Sequence, residues 1–199
     1  MSFFPLFVDL TGKPCVVVGG GRVAARRVRA LLDFGACLTV IDGRPSREIV
    51  SLSGRCSGAG GVRLLRRSYE GPGDIAGARL VIAAVNDSEV NAVVARDARA
   101  AGIPVNAADS PGLCSFFFPA LVRRGELVAG ISTSGGCPRL AAWLRLRLEE
   151  DWPAGLAEFL ECLRAERGRL RERFPVDEVA ARLDCLISEF LEGPLEGSS

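Results

Sequence analysis

Valine-rich apolar runs recur through the first half of the chain, each ending at glycine or at a polar turn. Pro14 to Val18 is one such run and stops at Gly19-Gly20-Gly21, the pattern of a parallel strand buried on both faces. The period then changes. Ala24, Val28, Leu31 and Leu32 stand at i, i+4, i+7 and i+8, one stripe of an amphipathic helix that Gly35 stops. Cys37 to Ile41 reads as a second strand, completing a βαβ unit. A Gly/Ser-rich stretch from Ser53 to Gly61 reads as a loop before a short strand near Val62 to Leu65. Leu80 to Val85 is the next buried strand. Asn86, with Glu89 three residues on, marks the N-cap of a helix reaching about Ala101. Pro104 to Asp109 is the strand after it. Alternating strands and helices predict a parallel sheet with helices on both faces.

After Asp109 the alternation stops. Ser115 to Val122 and Glu126 to Thr133 are strand-like runs joined by Arg123-Arg124-Gly125, which predicts a β-hairpin. From Pro138 the pattern is helical. Leu156, Phe159, Leu160 and Leu163 form one stripe, and Val179, Leu183, Leu186, Ile187 and Phe190 another, and stripes of this kind need a surface to pack on. Gly193 to Ser199 reads as a terminal tail. The expected division is an α/β domain over 1–113, a hairpin segment over 114–150 and a helical region over 151–199, with no internal repeat.

Composition narrows the function classes. With 199 residues, 48% hydrophobic and 25% charged, the chain has a globular balance and can bury a core without staples. A net charge of +1 provides no global field for nucleic acid or an anionic membrane. The seven cysteines, Cys15, Cys37, Cys56, Cys114, Cys137, Cys162 and Cys185, are an odd number without a C-x-x-C pair. They read as small apolar residues of a reducing compartment rather than a zinc or disulfide framework. Met1 to Leu10 carries neither a basic leader nor a long apolar run, so no signal peptide or membrane span is expected, and the location expected is cytoplasmic.

Gly19-Gly20-Gly21-Arg22-Val23-Ala24 fits G-x-G-x-x-A between a strand and a helix. Glycine allows the tight turn and lets backbone approach a pyrophosphate, and a small Ala24 lets helix and strand pack closely. Amide groups at the helix start then face the phosphates. Asp42 closes the second strand, where a carboxylate accepts from the ribose hydroxyls of NAD and repels the 2′-phosphate of NADP. Arg44, two residues on, points the other way, because a guanidinium can bind that phosphate. A glycine turn of purely structural purpose is the alternative reading.

These motifs come with others in a fixed order. They are Phe4-Pro5-Leu6-Phe7-Val8-Asp9-Leu10, the glycine turn, Asn106 with Asp109, Phe116-Phe117-Phe118-Pro119-Ala120-Leu121-Val122-Arg123-Arg124-Gly125, and Ile131-Ser132-Thr133-Ser134-Gly135-Gly136-Cys137-Pro138. Over about the first 150 residues the chain resembles the precorrin-2 dehydrogenase/sirohydrochlorin ferrochelatase family, the N-terminal part of siroheme synthases. The resemblance implies a Rossmann-type domain that oxidises precorrin-2 to sirohydrochlorin with NAD as hydride acceptor. Some members also insert ferrous iron. The family's key carboxylate falls on Asp109, and its cofactor contacts on Gly19, Gly20, Gly21, Arg22, Val23, Asp42, Gly43, Arg44, Ala84 and Val85. Its intertwined homodimer implies dimerisation through the hairpin segment. Val85-Asn86-Asp87 and Asn106-Ala107-Ala108-Asp109 depart from the more usual family wording, and neither removes a group the chemistry needs.

The chain has no histidine, so a general base must be a carboxylate, cysteine, tyrosine or water. Asp109, at the carboxyl end of an expected parallel strand, is the candidate. An Asx-turn residue before Pro111 is the competing reading. Asn106 and Ser115 are candidate substrate neighbours or turn residues. Arg123, Arg124 and Arg139 suit a substrate bearing several carboxylates, or are simply a solvated hairpin tip and helix start. Ser132, Thr133 and Ser134 read equally well as a polar turn. No resident metal is expected, and ferrochelation remains a secondary expectation. The alternative function is an NAD-sensing regulatory module, against which no basic helix-turn-helix is visible.

Overall fold

The computed structural model describes residues 3–53, 60–108 and 110–192. Most of the Ser53–Gly61 loop, Asp109 and the Gly193–Ser199 tail lie outside the described residues. The chain divides into two compact units, Met1–Phe117 and Phe118–Ser199.

The first unit is a parallel sheet. β1 (Pro14–Val18), β2 (Cys37–Ile41), β3 (Gly61–Leu65), β4 (Leu80–Ala83) and β5 (Val105–Ala107) lie in the order β3-β2-β1-β4-β5, with every neighbouring pair parallel. α1 (Arg22–Leu32) packs on β1 and β2, and α3 (Ser88–Ala100) on β4 and β5. Val16, Val18, Val81, Ala83, Val105 and Ala107 form one core with Val94, Ala95 and Ala98 of α3. Val17 and Ile82, intervening along their strands, are fully buried as well. This is why the strands read as continuous apolar runs instead of alternating ones.

Three expectations in this unit needed correction. Asp87, not Asn86, caps α3: its Oδ1 accepts from the amides of Glu89 at 2.9 Å and Val90 at 3.4 Å. Asn and Asp cap about equally well, so sequence spacing alone misplaced the cap by one residue. The strands expected over Leu80–Val85 and Pro104–Asp109 keep ladder pairing only to Ala83 and from Val105 to Ala107. A short helix, α2 (Arg47–Leu52), was not anticipated. It has Ser46 as N-cap and buries Ile49 and Leu52, too few apolar positions to show a helical period.

The second unit holds the hairpin of β6 (Ala120–Arg124) and β7 (Leu127–Ile131), paired antiparallel, and three helices, α4 (Pro138–Asp151), α5 (Leu156–Arg171) and α6 (Val176–Glu192). The hairpin was expected, but its register is different. Arg123 and Arg124 pair with Val128 and Leu127, leaving Gly125-Glu126 as a two-residue turn, and Gly125 has φ +57°. Glycine at the first turn position suits the primed turns that match strand twist. Residues 115–119 are outside the strand: Ser115 pairs with the backbone of Val105, and Pro119 has no amide to offer a ladder. α5 and α6 cover each other's stripes, with Phe159 stacked on Phe190 at 3.9 Å between ring centroids.

Candidate functional site

In this sheet the chain runs outward from β1 to β3 and then returns to β4 on the other side of β1. The carboxyl ends of β1 and β4 therefore flank the switch point where open α/β sheets bind ligands. The glycine turn leaves β1 at that point. Gly19 has φ +119°, and a Cβ there would sit on the Ala84 carbonyl group, 2.6 Å from its carbon and 3.0 Å from the amide nitrogen of Val85. A Cβ on Gly20 would lie 2.9 Å from the Asp42 side chain and the Pro45 backbone. Both glycines are required by close packing of the protein on itself.

Gly21 differs, because a Cβ added there would meet nothing within 4 Å. It is the N-cap of α1 and has no side chain to close the first turn, which also lacks an acidic residue. The first-turn amides of Arg22, Val23 and Ala24 have no acceptor within the helix, and together with the helix dipole they form an anion cradle. Ala24 is fully buried, fulfilling the close-packing part of the motif.

Asp42 follows β2 directly, its amide bonded to the Leu65 carbonyl at 3.1 Å. Its Oδ1 accepts from the Arg44 amide at 2.6 Å, which turns the chain and orients the carboxylate. Gly43 has open space where a side chain would stand. Ser46 donates its amide to the Gly20 carbonyl at 2.9 Å, tying the Asp42–Arg44 turn to the glycine turn. Gly19 to Val23, Asp42 to Arg44 and Ala84 to Val85 are thus gathered at one edge of the sheet. This open, donor-lined cradle with one oriented carboxylate fits a dinucleotide.

Sequence reasoning missed Asn91. This α3 residue is only 4% exposed, and its amide brackets Val85: Oδ1 accepts from the Val85 N–H at 3.1 Å and Nδ2 donates to the Val85 carbonyl at 2.9 Å. Arg27 of α1 is half-buried. Burial pushes its guanidinium down to about 10, the charge of Arg26 adds to the shift, and the Cys114 thiol partly offsets it. It remains cationic at neutral pH.

Asn106 is buried, and Nδ2 donates to the Phe116 carbonyl at 3.0 Å. The Ser115 hydroxyl accepts from the Val105 amide at 2.8 Å, so both side chains hold the segment after β5. Cys114 joins them, accepting from the Ala107 amide at 3.3 Å and donating to the Ala107 carbonyl at 3.2 Å. Arg123 and Arg124 belong to the second unit. There Arg123 Nε donates to the Gly125 carbonyl at 2.9 Å and Arg124 reaches the Glu149 carbonyl at 3.4 Å. Arg139 is exposed in the first turn of α4. Ser132 and Thr133 accept from the amides of Ser134 and Cys137, as turn residues do. Among the described residues no group of three or more His, Cys, Asp or Glu gathers for a metal, and no helix is long and apolar enough to cross a membrane.

Residues 6–120 match a family described as "Putative NAD(P)-binding". The chain belongs to this NAD(P)-binding family. Its Gly19–Ala24 turn and Asp42 lie inside the matched span. A siroheme synthase of Methylococcus capsulatus is 41% identical over 197 residues, 99% of this chain and 39% of that protein. One from Pseudomonas paraeruginosa is 42% identical over 175 residues, 88% of this chain and 37% of that protein. The chain therefore spans less than half the length of these curated relatives. The solved structure titled "SirC, precorrin-2 dehydrogenase" superposes with a TM-score of 0.75 at 26% identity, covering 97% of this chain and 94% of that one. The NAD(P)-binding domain, the hairpin and the C-terminal helices thus recur together in one known protein.

Proposed function

We propose that this chain is an NAD-dependent dehydrogenase that converts precorrin-2 to sirohydrochlorin on the way to siroheme. One observation carries the reading: the chain superposes almost end to end on a precorrin-2 dehydrogenase. Its glycine cradle fits the cofactor that such a reaction needs. Bound NAD would supply the hydride acceptor. The chain's part is to hold the pyrophosphate on the amides of Gly21 to Val23 and the ribose hydroxyls on Asp42. It also sets the β4 end, Ala84 and Val85, against the turn. Asp42 favours NAD, since its carboxylate repels a 2′-phosphate. Asp109 is the proposed base for the proton that leaves with the hydride, and Arg123, Arg124 and Arg139 are proposed to meet substrate carboxylates. Asn106 and Ser115 support this site by holding the segment on either side of Asp109.

The proposal includes a cytoplasmic homodimer joined through residues 114–150, between the NAD domain over 1–113 and the helical region over 151–199. Six described cysteines are free thiols, as suits a reducing compartment. Leu140, Trp143 and Leu146 of α4 are about half exposed in the single chain, as suits a second copy covering them.

Anaerobic incubation with precorrin-2 and NAD should yield sirohydrochlorin and NADH together. No turnover by a folded, NADH-binding protein would leave the NAD-sensing module as the better reading. Ferrous iron added to the product tests for a chelatase activity, in which iron is a substrate, and uptake above the uncatalysed rate would add that activity. Asp109→Asn should lower turnover by roughly 10²–10⁴ while NADH affinity is kept, the range for losing a general base. Near-normal turnover by Asp109→Asn would return Asp109 to a turn residue before Pro111.

A further inference from the structure

We infer that Asn91 is a positioning residue for cofactor binding, acting through Val85 to fix the wall of the glycine cradle. Asparagine is a poor choice inside a helix, and burying its amide is costly unless both ends are bonded. Asn91 occupies the fourth position of α3 and is buried, with both amide ends bonded to the backbone of Val85. The sheet does not need that bond. Ladder pairing of β4 ends at Ala83, opposite Ala107 on β5 and Val18 on β1, so Val85 lies beyond it.

What Val85 does adjoin is the turn. A Cβ on Gly19 would lie 2.6 Å from the Ala84 carbonyl carbon and 3.0 Å from the Val85 nitrogen. The Ala84–Val85 backbone is therefore pressed on the first glycine of the cradle, and the side-chain amide of Asn91 holds the N–H and the carbonyl of Val85. Asn91 is too buried to touch a ligand itself. A shift of the gripped peptide would move the wall against which Gly19 shapes the turn.

This inference rests on the NAD-binding reading. The test uses the whole chain, with NADH binding followed by its fluorescence well below the melting temperature of each variant. Asn91→Leu keeps the bulk and removes both bonds. Asn91→Asp keeps an acceptor for the Val85 N–H and loses the donor to its carbonyl. Each should weaken NADH binding by about tenfold or more, the scale of one or two lost hydrogen bonds. The KM for NAD should rise in parallel, while kcat at saturating NAD stays within about twofold of the wild type, because a residue that acts only on binding leaves the chemical step alone.

A purely structural role would lower the melting temperature and leave the affinity of the folded protein unchanged, and that outcome overturns the inference. Failure of both variants to fold also overturns it, assigning Asn91 to the fold alone. Absence of NADH binding by the wild type is a different result, overturning the NAD reading and this inference together.

Discussion

Three adjacent glycines fill two different needs, and a methyl group tells them apart. Gly19 and Gly20 are enclosed by the protein itself, whereas Gly21 faces open space with φ −81° and ψ −171°, a conformation alanine adopts freely. Gly21→Ala should therefore fold normally, costing about 1 kcal/mol or less as a poorer helix cap, and yet weaken NADH binding by about tenfold or more, because backbone can no longer approach a pyrophosphate. Calorimetric titration beside a thermal melt checks both halves. Unchanged affinity would mean the cradle is not where the phosphates lie. The motif placed all three glycines in the sequence, but only the tertiary neighbours show which one faces open space. Asn91 left no comparable signal, since an asparagine early in a helix looks like any other polar position.

At the scale of elements, the start of α3 offers a direct comparison. Asp87→Ala should cost about 1 kcal/mol in urea unfolding, whereas Asn86→Ala, outside the cap, should cost close to nothing. The reverse order would restore the cap to Asn86. The segment before β4 carries a pH-sensitive tie. Arg67 donates to both carboxylate oxygens of Asp74, at 2.9 and 2.5 Å, and the Glu70 amide adds a third bond at 2.9 Å. The Arg67 hydrogen bonds hold the Asp74 carboxyl below its ordinary 3.8. A depressed carboxyl stabilises the fold above that ordinary value, and the contribution is lost as pH falls through the folded pKa. Asp74→Asn should consequently be less stable than the wild type at pH 7, with the gap closing below about pH 3.8. A gap constant from pH 7 to pH 3 in urea titrations would refute the tie. The β6 strand shows why element boundaries escaped the sequence. Phe116 to Phe118 are as strand-like as the residues after them, but Ser115 is already bonded to Val105 and Pro119 cannot donate.

For the whole molecule the main prediction is assembly. Light scattering at micromolar concentration should give about twice the 21.1 kDa chain mass, and Trp143→Glu should lower it toward that of one chain, since a charge buried in an interface is costly. A single-chain mass for the wild type would remove the dimer. The hairpin and the helical stripes were legible as elements needing cover. α5 and α6 turned out to cover each other's stripes, while α4 and the segment Phe4 to Phe7 carry exposed apolar side chains, as do Val176 and Leu191 at the two ends of α6.

The sequence by itself determined the parallel α/β sheet, the hairpin after it, the helical end and the place of the cofactor turn. These are written in local periods of two and 3.6 residues and in glycine at fixed offsets, which the chain carries without reference to distant partners. Only the tertiary structure decided that Gly21 faces open space, that Asp87 caps α3, that Gly125-Glu126 is the hairpin turn and that Asn91 grips Val85. Each of these depends on which backbone groups come within hydrogen-bonding or van der Waals reach after folding, and no local pattern records that.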